Sequence, residues 1–254
     1  MNRGRIHTNH PCGGTPESYA NDRWWAAHEF NVILNVQHDV LSQLYSRVRK
    51  CWNTRSTLRK RLDHVWKVRR LSDRARIYVQ SERYHLEDEI TKLNFELAIC
   101  ADSFISTLAR DLDELRVGSG LDVRDCGMDV FRGLTIGTAL WALGNRVRHA
   151  HEWGPSVSKR DKATRTILAR LPAGEDDDAS AQFLMVLPLH SYSQWDQLLR
   201  TIGYSAMEKL DAGTANGYVP PICFHDLPNP GGNVLYDYRE CRNTNSRGIV
   251  IPYG

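Results

Sequence analysis

Proline is absent between Pro16 and Pro155, and glycine is absent between Gly14 and Gly118. Inside a helix these residues cost about 3 and 1 kcal/mol relative to alanine, so a stretch this long without either is predominantly helical. Long apolar runs are also missing. The best is the short segment from Leu134 to Leu143, well below the roughly 20 residues of a membrane span. No apolar segment follows the basic start MNRGRIHTNHPCGG, which argues against a secretory signal. Cysteine is sparse and scattered, at positions 12, 51, 100, 126, 223 and 241, with no Cys-x-x-Cys pair. That spacing speaks against a zinc knuckle or a disulfide scaffold and suits a reducing cytoplasm. No Gly-rich phosphate loop, Ser nucleophile elbow or dinucleotide fingerprint occurs.

What is present is a chain of 254 residues with 41% hydrophobic and 25% charged side chains, enough to bury a sizeable core. Ile33, Val36, Val40, Leu44, Val48 and Cys51 recur at helical spacing, with a weak interruption at 53–57 before Leu58, Leu62 and Val65 continue the pattern. The clearest stripe runs through Leu86, Ile90, Leu93, Leu97, Ala101, Phe104, Leu108, Leu112 and Leu115, and Gly118 and Gly120 follow where a C-terminal cap is expected. A further helix is expected from about Asp129 to Glu152, with Gly133, Gly137 and Gly144 permitting close approach of a neighbour. These elements imply an all-α fold, an antiparallel bundle of long helices.

The organisation expected is a flexible arm over 1–20, a helical bundle over 21–154, and short helices with irregular chain over 155–254. Eight of the ten prolines fall in that last part. Within it, 158–171 reads as a short helix and 172–179 as a polar linker. Ser193 and Asp196 resemble a capping box for a helix through Trp195, Leu198, Leu199, Ile202 and Leu210. Short strands are expected at 233–237 and 248–252.

The net charge of +3 conceals a block. From Arg47 to Arg76 there are twelve Lys or Arg residues against Asp63 and Asp73, whereas 82–116 holds four basic and nine acidic residues. Basic residues interleaved with Trp52 and Trp66 are a footprint for a nucleic-acid backbone with some stacking. The candidate contacts are Arg47, Arg49, Lys50, Arg55, Arg59, Lys60, Arg61, Lys67, Arg69 and Arg70. The competing reading is a solvated helix face neutralised by the acidic helix that follows. Both tryptophans lie on or beside the apolar stripe, which favours core positions for them.

The densest group of reactive side chains is GNRVRHAHEWGP, residues 144–155, with Asn145, Arg146, Arg148, His149, His151 and Glu152. Arg146 and His151 form an Arg-x4-His pair. It resembles the signature of the HEPN superfamily, four-helix bundles that carry Arg-x4–6-His near the start of the last core helix. The resemblance covers about residues 30–155. It implies an RNA-directed protein of the toxin or antiviral-defence type, a metal-independent endoribonuclease without cofactor, a homodimer, and an inhibitory partner protein. Val147 stands where the family has a polar residue after the arginine, so Arg146 and Arg148 both qualify as the phosphate clamp. Residues five apart on a helix diverge by about 140°, whereas Arg148 and His151, three apart, share a face.

These residue types suit metal-free RNA cleavage. A histidine near its ordinary pKa of about 6.5 serves as acid or base at neutral pH, and arginine supplies a permanent planar cation. Asn145 would orient the phosphate or the histidine, and His149 would share the acid–base work or cap the helix end. Two alternatives stand beside this. One is a non-enzymatic helical module for nucleic acid or protein, in which these cations only complement the helix dipole. The other is an HD-type metal phosphohydrolase built on His38-Asp39 or His225-Asp226, which lacks a matching upstream histidine, since His28 falls in the helix expected to hold His38.

Overall fold

The computed structural model describes residues 22–68, 72–131, 133–149, 159–171 and 178–213. Helices dominate them: α1 (Asp22–Val36), α2 (His38–Lys67), α3 (Asp73–Ser119), α4 (Ile136–His149), α5 (Lys159–Leu168), α6 (Ala179–Val186) and α7 (Tyr192–Gly213). The one sheet among them is a small antiparallel hairpin of β1 (Asp129–Phe131) and β2 (Leu134–Thr135). The fold is all-α, with long helices packed together, and none of the described helices is long and apolar enough to cross a membrane. The strands expected at 233–237 and 248–252, and nearly all of the linker at 172–179, lie outside the described residues.

The 47-residue α3 is the axis of the molecule, about 70 Å long at 1.5 Å per residue. The Ser72 side chain caps its start by accepting from the Ala75 N–H. Its end is closed at Gly120, whose φ of 68° permits the left-handed cap in which its N–H donates to the Arg116 carbonyl. Eight of the nine stripe residues from Leu86 to Leu115 are buried, and Leu93 packs against the core from a half-buried position. At Gly144 α4 packs tightly on α3, because a Cβ there would lie 2.2 Å from the Ala109 Cβ.

Several expectations are corrected. The break between α1 and α2 falls at Gln37, and Val36 and Val40 face outward; the buried positions are Leu34, Leu41, Tyr45, Val48 and Cys51. Two stripes can be drawn through this apolar segment at helical spacing, and the larger leucine and tyrosine side chains take the core. Residues 53–57 are continuous helix, held by Arg55 turned inward. The segment from Asp129 forms the hairpin, with Gly133 at its turn, and α4 starts only at Ile136. The capping box of α7 is Ser191 with Gln194: the Gln194 N–H donates to Ser191 Oγ, and Gln194 Oε1 accepts from the N–H groups of His190 and Ser191.

The core also crosses the boundary expected near residue 154. Trp195 of α7 is fully buried, with its ring 6.1 Å from Tyr45, 5.9 Å from Phe104 and 5.9 Å from Phe183. The Tyr45 hydroxyl donates to the Leu189 carbonyl at 2.7 Å, so the chain entering α7 is fastened to α2. Helices α6 and α7 therefore complete the bundle rather than append to it. In the other direction α2 and α3 outrun the core. Among the described residues, none from 56 to 85 belongs to the main buried cluster, and the two helices continue there as an antiparallel two-helix arm.

Candidate nucleic-acid interface and the terminal turn of α4

The arm has two unlike flanks. On one, the acidic residues of α3 meet the basic residues of α2: Arg47 binds Glu96 and Arg61 binds Glu82. These positions are fourteen apart on α2 and fourteen apart on α3, so both pairs fall on one side. Arg59 and Lys60, exposed on α2, have no ion-pair partner among the described residues, and the same holds for Lys50 and Lys67. Arg49 is half-buried beside Tyr45. Arg69 and Arg70 lie outside the described residues.

Arg55 belongs to a different environment. Only 4% exposed, it donates through Nη1 to Asn94 Oδ1 and Asp178 Oδ2, both at 3.1 Å, and its guanidinium lies 4.4 Å from the Trp52 ring centre. It joins α2 to α3 and to the start of α6, and its burial removes it from the exposed basic surface. The tryptophans also separate. Trp52 packs half-buried against the core, but Trp66 is 55% exposed on the arm, with the Arg83 guanidinium 3.2 Å from its ring centre. Arg83 is a functional candidate that charge blocks alone did not find, since it sits inside the acidic stretch. Its spacing of seven from Arg76 was the available signal, because that interval returns to the same helix face.

At the end of α4 the candidate residues diverge. Asn145 is buried, and its Nδ2 donates to Thr164 Oγ1 of α5 at 3.4 Å. Arg146 is 8% exposed, with Nη1 3.8 Å from Asp102 Oδ1, and the same oxygen accepts from Ser180 Oγ at 2.6 Å. Arg148 points elsewhere, as residues two apart on a helix must. Its Nη1 donates to Asp113 Oδ2 at 2.5 Å and its Nε to the Gly144 carbonyl at 3.2 Å. His149 is half-exposed beside it. His151 and Glu152 lie outside the described residues. Asp113 lines an open groove with Arg116, Asp122, Arg124 and Trp141, in which Arg124 lies 5.2 Å from the Trp141 ring centre. Hydrogen bonds from Arg124 hold the Asp122 carboxyl below its ordinary pKa.

Other chemistries find less support. Burial pushes the thiols of Cys51, Cys100 and Cys126 up, away from the thiolate a nucleophile requires. His28 and His38 stand on separate helices, contrary to expectation. His28 stacks on Trp24, and His38 packs edge-on to Tyr192. Among the described residues no three His, Cys, Asp or Glu side chains group as metal ligands. The second dipeptide, His225-Asp226, lies outside the described residues.

Fold and surface together define an all-α bundle protein with a basic, tryptophan-bearing two-helix arm. No family model, curated protein or solved structure matches the chain.

Proposed function

We propose that this protein binds RNA through the α2–α3 arm, as a HEPN-like helical RNA-binding protein. The observation that carries the reading is the asymmetry of the arm. Glu82 and Glu96 neutralise one flank, while Arg59 and Lys60 remain exposed without ion-pair partners among the described residues. A helix face that were only solvated would need no such segregation, and a polyanion is the complement of a cationic flank. Binding releases condensed counterions, so affinity should fall steeply with salt. Reversing Arg59 and Lys60 to Glu should lower affinity and flatten the salt dependence, read by anisotropy of a labelled RNA. No RNA affinity at low salt overturns the reading.

A second reading, metal-independent RNA cleavage at the end of α4, draws on the groove that Asp113 lines. Arg148 is tied to its rim, and the groove offers two further arginines and an indole for a phosphate and a base. In this reading Arg148 neutralises the phosphorane-like transition state and His151 moves the proton between the 2′-hydroxyl and the leaving 5′-oxygen. Cleavage should survive chelators and leave a 2′,3′-cyclic phosphate, and His151→Ala should reduce it about 10²–10⁴-fold. RNA left uncut with and without divalent ions ends this second reading and leaves the binding function standing.

A further inference from the structure

Resting on the RNA-binding reading, we propose that the flank of the arm carrying Trp66 is a track for unpaired bases, so that its ligand is single-stranded nucleic acid rather than a duplex. Arg59 and Trp66 are seven apart on α2, and Arg76 and Arg83 are seven apart on α3, so each pair repeats on one helix face. The guanidinium of Arg83 over Trp66 brings the two pairs together on the same side of the arm. This is the side away from Arg61 and Glu82, because Arg59 and Arg61, two apart, point in nearly opposite directions. The exposed Arg59, without an ion-pair partner among the described residues, and the exposed indole therefore coincide, while Arg76 on the same side pairs with Asp73.

Phosphate contacts alone would need only the cations. An indole 55% open to water, outside the main core cluster, does nothing for a duplex, whose base faces are already stacked on one another. An unpaired base offers a free π face, and arginines beside the ring hold the flanking phosphates. Trp52, fourteen residues before Trp66 on α2, continues the same side about 21 Å toward the core, where Arg55 lies over it. Trp66 with Arg83 over it, and Arg59 seven residues before it on the same face, thus mark the open part of the track, and the buried Arg55 beside Trp52 closes its inner end.

The test uses the full chain and mixed-sequence oligonucleotides: single-stranded RNA, single-stranded DNA of the same sequence, and the duplex of each, at low and at physiological salt. Single strands should bind more tightly than their duplexes. Trp66→Ala should weaken single-strand binding by about tenfold, the scale of one base–aromatic stack, and leave duplex binding unchanged, while Trp66→Phe should retain most of the affinity. Trp66 is outside the main core cluster, so neither variant threatens the fold. RNA and DNA strands bound alike assign recognition to bases and phosphates; RNA favoured over DNA adds contacts to the 2′-hydroxyl, and both outcomes keep the track. Equal affinity for strand and duplex, or Trp66→Ala without effect, overturns the inference but not the RNA-binding reading. Absence of any binding overturns both.

Discussion

Arg148 Nη1 donates to Asp113 Oδ2 at 2.5 Å, tying the last turn of α4 to α3. Two residues earlier Arg146 faces Asp102, which also accepts from Ser180. The two arginines are thus held by different aspartates of one helix, and they differ in burial. Arg146→Ala leaves Asp102 with Ser180 alone among the described residues and should cost about 1–3 kcal/mol. The part-exposed Arg148–Asp113 pair should be worth less than about 1 kcal/mol. Urea denaturation of both variants checks this. It also decides which arginine can be tested for RNA cleavage without disturbing the fold, and that residue should be Arg148.

Leu97 and Phe104 sit at the centre of the cluster that joins α3 to α2 and α7. Leu97→Ala should cost about 2–5 kcal/mol and Phe104→Ala about 3–5 kcal/mol. Leu62→Ala, on the half-buried seam of the arm, should cost clearly less, because fewer neighbours surround it. Equal losses at Leu62 and Leu97 would mean that the arm is as tightly packed as the bundle.

The stripe from Leu86 to Leu115 was legible because its period is unbroken and a glycine pair marks its end. The Val36–Val40 register was not, since two apolar stripes compete there and only tertiary packing selects one. Helix α7 could be read from Trp195 and Leu198, but not its place in the core, because Tyr45 and Phe104 come from distant parts of the chain. The arm was hidden for a similar reason. Leu58, Leu62 and Val65 repeat as a core stripe does, and periodicity carries no record of whether a third helix covers it. At the candidate site, spacing showed that Arg148 shares a face with His151 and that Arg146 does not. It could not show that Asp102 and Asp113 lie opposite the two arginines.

Asp111 is 2% exposed, and burial raises its carboxyl above the ordinary carboxylate pKa, against the lowering effect of Gln37 and Arg110. Gln37 Nε2 donates to Oδ1 at 3.3 Å, while Asp111 Oδ2 and Gln37 Oε1 both lack hydrogen-bond partners among the described residues. A protonated Oδ2 is a donor that suits the second amide oxygen. An acid with a raised folded-state pKa takes up a proton on folding. Its contribution is fully present below the ordinary carboxylate pKa and is lost as pH rises through the raised value. Asp111→Asn should therefore raise Tm relative to the unmodified chain above that window, with the gain shrinking in acid. A gain independent of pH would contradict this account of Asp111.

Arg55 and Arg59 lie one helical turn apart and should report different properties. Arg55, with Asn94 and Asp178 on its guanidinium, is a buried joint between the arm and the bundle. Arg55→Ala leaves Asn94 without this donor and Asp178 with the Gln182 amide alone among the described residues, opens a void beside Trp52, and should lower stability by about 1–3 kcal/mol. Because its charge is already engaged, the salt slope of RNA binding should change little. Arg59 is exposed and without an ion-pair partner among the described residues. Arg59→Ala should leave stability within about 0.5 kcal/mol while reducing the salt slope by about one, the signature of a lost phosphate contact. Thermal denaturation and a salt titration of both variants measure the two effects independently. A salt slope lowered by Arg55→Ala but not by Arg59→Ala would place the RNA contact at the base of the arm and refute the assignment of its exposed flank.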